Sequence, residues 1–151
     1  MAMVVNQMVE AEVPLIHWMG YDSLVLVSSQ YLARWTVVVS EHPFINALPR
    51  RWLDIRGNRV ADFWQSSLRA VMGLIIFRPG ITQTEIRWRL RAVYDRQEIN
   101  DILRYLQREG YLRVRVGYSS VWASCGMDMP FDEGEERKVF WFIGDKHWYQ
   151  L

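Results

Sequence analysis

Apolar residues at Val60, Trp64, Leu68, Val71 and Ile75 recur at steps of four, four, three and four, which marks one face of a helix from about Arg59 to Phe77. Asn58 stands where an N-cap would, and Asp62 lies in the first turn, where the helix dipole favours an anion. Gly73 inside this helix costs about 1 kcal/mol against Ala, which predicts the close approach of a neighbouring element. Pro79 ends the helix, because it has no N–H and disfavours a helical Arg78. Thr82-Gln-Thr-Glu85 then reads as a capping box, with Thr82 as cap and Glu85 reaching back, and opens a second helix with Ile86 and Leu90 inward. Asp95-Arg-Gln-Glu98 is another such box. It opens a third helix with Ile99, Ile102, Leu103 and Leu106 buried and Gly110 just past its end. From Tyr111, the apolar Leu112, Val114 and Val116 alternate with Arg113 and Arg115, the pattern of a half-buried strand. Lys138–Ile143 is the returning strand, apolar on both faces. The long connection from Gly117 to Gly134 holds a short strand at Val121-Trp122-Ala123, and the acidic stretch Asp128–Glu136 is expected to be mobile.

The residues before Asn58 read differently. Between Val4 and Ser40 the chain reads as strands. The runs Leu24–Val27 and Trp35–Val39 are continuously apolar, as in strands covered on both faces. The second is bounded by Ser40 and the turn-prone Glu41-His42-Pro43. Pro43 to Asn58 is punctuated by Pro49 and Gly57-Asn58 and is expected to be irregular.

Helix, turn, capped helix, capped helix and a strand pair together predict an α+β fold of the winged-helix type, three helices with a β-wing, over residues 60–151. Residues 1–59 would form a strand extension packed on its core, the whole being one folded unit. Such folds bind a duplex or dock onto protein far more often than they catalyse.

Composition narrows the choice. Half the residues are hydrophobic, and there are eight Trp and seven Tyr. That is enough for one well-buried core with aromatics left over for a contact surface. The formal net charge is only +1, whereas a domain held to DNA by phosphates alone is usually far more basic. Cys125 is the only cysteine, so no internal disulfide and no thiolate metal site is expected, which fits a reducing compartment. His17, His42 and His147 lack metal-ligand spacing. No signal peptide, membrane-length apolar run, phosphate-binding glycine loop or nucleophile motif stands out, so a non-catalytic chain with no cofactor, metal or small-molecule substrate is expected.

The candidate contacts follow from position. On the third helix, Arg96, Gln97, Asn100, Arg104 and Gln107 are expected to point outward, and their types suit base edges: Arg to guanine, Asn or Gln to adenine. Charges on that helix cancel, however. Arg87, Arg89 and Arg91 on the second helix, with Arg113 and Arg115 on the wing, would track a phosphate backbone from a shared positive face. Trp88 interrupts the polar face of the second helix. It is expected to pack against the wing or the turn at Tyr94, and if exposed it would anchor a protein partner. Trp122 and Trp148 are further interface candidates.

Three segments carry a resemblance: Pro49-Arg-Arg-Trp-Leu-Asp-Ile-Arg-Gly57, Arg78-Pro-Gly-Ile81, and Glu98-Ile-Asn-Asp-Ile-Leu-Arg-Tyr-Leu-Gln-Arg-Glu-Gly-Tyr111. With the closing Asp145-Lys-His-Trp-Tyr-Gln-Leu151, they resemble the C-terminal part of the largest, B-box-binding subunit of transcription factor IIIC, from about Trp35 to Leu151. The resemblance implies a piece of a very large nuclear subunit with several winged helices. It implies a complex that binds the internal promoter of transfer-RNA genes and recruits transcription factor IIIB and RNA polymerase III. Two roles follow: contribution to B-box DNA binding, or docking onto other subunits of the complex, its WD-repeat subunits included, without touching DNA.

Overall fold

The computed structural model describes residues 2–11, 14–23, 25–41, 44–117 and 133–151. Leu24, His42, Pro43, Trp122, the strand expected at residues 121–123, Cys125 and the acidic residues 128–132 lie outside the described residues. The chain is an α+β protein with small sheets, and it divides into two compact units, Met1–Val60 and Ala61–Leu151.

In the N-terminal unit a helix, α1 (Ala2–Val9), precedes a hairpin of β1 (Ile16–Met19) and β2 (Val25–Ser28), with Trp18 opposite Leu26. A 3₁₀ turn, Ser29–Arg34, leads to a second hairpin, β3 (Val37–Glu41) with β4 (Phe44–Ala47). The register shifts between Val38 and Ser40. The expectation of strands alone thus missed α1 and the 3₁₀ turn, and β4 occupies part of the stretch expected to be irregular. Val25, Leu26, Val37 and Val38 are exposed while Val27 is buried. Two-stranded hairpins supply no third strand to cover a second face, which is why the apolar runs are not buried on both sides.

A tight loop closes this unit. Asp54 Oδ1 accepts from the backbone N–H groups of Arg56 and Asn58, both at 2.8 Å. Those bonds, the one from the Asn58 amide above all, hold the Asp54 carboxyl below its ordinary 3.8. Gly57 sits at φ +73°, and a Cβ there would come within 2.7 Å of Val39 Cγ2. Asn58 therefore serves this loop rather than capping a helix, and the next helix starts at Ala61.

In the C-terminal unit α2 (Ala61–Phe77) buries Trp64, Leu68, Val71, Met72 and Ile75, the expected stripe. Pro79-Gly80 turns the chain sharply: Gly80 takes φ +81°, Ile81 N–H donates to Arg78 O at 3.1 Å, and Gly80 N–H donates to Trp141 O at 2.7 Å. This is the type II pattern, Pro first and Gly second. The short strand β5 (Ile81–Thr82) follows, then α3 (Gln83–Leu90) and α4 (Arg96–Arg108). Thr82 Oγ1 accepts from Glu85 N–H at 3.2 Å. The Glu85 carboxylate, expected to reach back to Thr82, is held by Arg78 and Arg89 instead. The box at Asp95 and Glu98 is complete. Beyond α4, Gly110 at φ +82° lets Tyr111 N–H donate to Leu106 O and its own N–H to Gln107 O, a Schellman closure.

β6 (Leu112–Val116) pairs antiparallel with β7 (Val139–Ile143), and β5 pairs with the other edge of β7, giving the order β5-β7-β6. Ile81, Leu112, Val114, Val139 and Trp141 are buried, with α2 against α4 and β7, and α4 against β6. Trp64 meets Tyr105 edge to face at 5.0 Å. The Arg115 guanidinium lies over Phe142, 5.4 Å from its centroid. Before β7 the chain makes one turn of helix, α5 (Glu133–Glu136), set against α3. This turn occupies the end of the stretch expected to be mobile. Among the described residues no helix is long and apolar enough to cross a membrane.

Candidate functional site

The helices and the segment before β7 converge on a buried acid. Glu136 is fully buried, and its two carboxylate oxygens divide between two helices. Oε1 accepts from Arg96 Nε at 2.7 Å, and Oε2 accepts from Arg87 Nη1 at 3.1 Å. Arg96 is itself buried, at 7 % side-chain exposure, whereas Arg87 keeps 25 %. A second polar chain runs alongside. Gln83 Nε2 donates to Asn100 Oδ1 at 2.7 Å, and Trp141 Nε1 donates to Gln83 Oε1 at 3.3 Å. These chains tie α3, α4 and β7 together with hydrogen-bonded groups in surroundings of low dielectric, where each bond is strong and an unpaired group is costly.

This arrangement corrects the outward placement of Arg96 and Asn100. Both belong to the buried side of α4. Arg96 lies three residues before Ile99 and seven before Leu103, and Asn100 three before Leu103, so helical geometry puts them on the apolar stripe. Of the remaining candidates on α4, Arg104 is exposed, and Gln97 and Gln107 are half-buried.

The other arginines are similarly engaged. Arg89 holds Glu85 through Nε and Nη2, at 3.1 and 2.8 Å. Arg113 pairs with Asp145 across the hairpin. Arg115 covers Phe142. Arg91 donates from Nη1 to Trp88 O at 2.7 Å and lies 4.3 Å above the Trp88 ring. Of the basic stripe expected to follow a phosphate backbone, Arg87, Arg89 and Arg113 meet Glu136, Glu85 and Asp145 within the same unit, while Arg91 and Arg115 lie over aromatic rings.

Trp88 is 62 % exposed, so its expected packing against the wing or Tyr94 gives way to a stack with Arg91. Trp148, in the closing 3₁₀ turn, is also exposed and meets Tyr149 edge on. Glu136 is the residue that sequence reading missed. Its signal lay in the buried spacing of Arg96, which demands an anion from elsewhere in the chain.

The N-terminal unit has an open cleft of about 200 Å³, lined by Val37, Val39, Ala47, Leu53 and Ile55 among others. Asp54 lies on its wall, with its carboxylate taken up by the loop amides. Among the described residues no group of three or more His, Cys, Asp or Glu side chains is placed to hold a metal ion.

Residues 9–87 match the profile of a family of unknown function (DUF6581), and the chain belongs to that family. The match runs from the end of α1 through both hairpins and α2 into α3, and so takes in Arg87 but stops before Trp88, α4 and the β6–β7 hairpin. No curated protein and no solved structure matches the chain.

Proposed function

We propose that residues 61–151 are a winged-helix module that docks onto protein, without catalysis and without reading DNA. The fold reading rests on the order helix, short strand, helix, helix, strand, strand, with the short strand joined to the last strand of the sheet. The carrying observation is the buried contact of Glu136 with Arg87 and Arg96. In helix-turn-helix proteins the first residues of the second helix of the pair meet base edges. Here the corresponding residues, Arg96 and Asn100, are bonded inward to Glu136 and Gln83. Phosphate contacts need cations in excess, whereas Arg87 and Arg113 each face a carboxylate of their own unit. Exposed aromatics such as Trp88 and Trp148 supply the kind of anchor that protein interfaces use. The resemblance to the largest subunit of transcription factor IIIC supplies the setting: a nuclear complex, with its other subunits, WD-repeat subunits included, as partners.

The test is a titration of the full chain against a labelled B-box duplex at low and moderate salt. The docking reading expects no binding at either salt. Micromolar binding that weakens steeply with salt and is lost in Arg104→Glu would replace it with the DNA-binding reading.

A further inference from the structure

We propose that Trp88, with Arg78, Arg89 and Arg91 around it, forms a docking site for an acidic peptide segment that carries an aromatic or large aliphatic side chain. This rests on the docking reading above and specifies the partner's chemistry. Trp88 is 62 % exposed, yet it is not loose: the Arg91 guanidinium covers one side of the indole at 4.3 Å and is itself tied to the Trp88 carbonyl at 2.7 Å. A large side chain already held in place loses little freedom on binding, and Trp is the residue type most enriched where interfaces concentrate their energy.

The surroundings set the sign of the partner's charge. Arg78 and Arg89, 61 % and 44 % exposed, both bond the same oxygen of Glu85, one turn from Trp88 on α3. With Arg91 the patch presents three guanidiniums against one carboxylate. Arg78 and Arg89 share a single carboxylate and Arg91 meets an indole, so these three cations outnumber the acid they bond. A carboxylate-bearing segment gains from this field and a basic one is repelled, while the aromatic surface rewards an apolar side chain between the acids.

Three labelled synthetic peptides test this against the full chain. One has Phe and Leu set among Asp and Glu, one has the acids replaced by Lys, and one keeps the acids but has Ala at the apolar positions. The first is expected to bind, more weakly as salt rises, and the other two are not. Trp88→Ala and Arg91→Glu should each weaken binding about tenfold or more, with partial rescue by Trp88→Phe. Because Trp88 is exposed, Trp88→Ala should keep the wild-type melting temperature, so lost binding is not lost folding. Absence of binding by the acidic peptide, equal binding of all three, or indifference to Trp88→Ala would overturn the proposal while leaving the docking reading intact. Displacement of the bound acidic peptide by duplex DNA, steeply weakened by salt, would overturn both.

Discussion

Replacing Glu136 by Gln keeps the side chain's size and removes the charge that both Arg87 and Arg96 bond. Breaking a buried ion pair by neutralising one partner costs about 3–5 kcal/mol. The two arginines do not contribute equally. Arg96, at 7 % exposure, has no route to water without moving α4, and it bears most of that loss. Arg87, at 25 %, can rehydrate its guanidinium, so its share is discounted. The lower end, about 3 kcal/mol, is the expected destabilisation of the C-terminal unit. For a unit of this size each kcal/mol lowers the melting temperature by roughly 4–8 °C. The expected fall is therefore on the order of 12–24 °C, followed by circular dichroism on the full chain. The paired replacement Glu136→Met with Arg96→Met should recover much of it, since an apolar pair of similar volume often substitutes for a buried ion pair without loss. A fall of less than about 2 °C for Glu136→Gln would refute the reasoning, because the triad would then not hold the helices together.

Gly73→Ala should stabilise the protein by about 1 kcal/mol, since a Cβ there meets nothing within 4 Å; a lower melting temperature would show an unseen neighbour. Gly144→Ala should do the opposite. Its Cβ would lie 2.3 Å from Gly110 O and 2.7 Å from Tyr111 C, and a clash with backbone should cost about 1–3 kcal/mol or more in denaturant unfolding. The Asp54 loop should be acid-sensitive in a defined direction. A carboxyl held below its ordinary 3.8 contributes stability above that value and loses it as pH falls through the lowered one. The amide resonances of Arg56 and Asn58 should therefore titrate with a midpoint below 3.8, and a midpoint at or above it would contradict the bonding described.

The parts legible from sequence are those fixed by neighbours in the chain. The α2 stripe, the caps at Thr82 and Asp95, the Arg78-Pro79-Gly80 turn and the Gly110 closure each need only a few adjacent residues. The β6 alternation was equally plain. Residue type misleads where position says otherwise: Arg96 and Asn100 suit base edges, yet their spacing from Ile99 and Leu103 sets them inward. A remote partner is equally hidden from the sequence. Glu136 meets Arg96 from 40 residues away, and nothing local distinguishes it from the acids around it. Gly73 was expected to mark close packing, but α2 leaves it open. In the N-terminal unit the short α1 and the 3₁₀ turn lack the length that makes a period visible.

The central claim is that Arg96 and Asn100 at the start of α4 are tied inward by their own chain. Arginine Nε–H resonances of the full-length chain, recorded with and without B-box duplex, test it most directly. The account predicts that the Arg96 Nε–H, donated to Glu136, exchanges slowly with water and does not move when duplex is added. A rapidly exchanging Arg96 signal that shifts with duplex would contradict it.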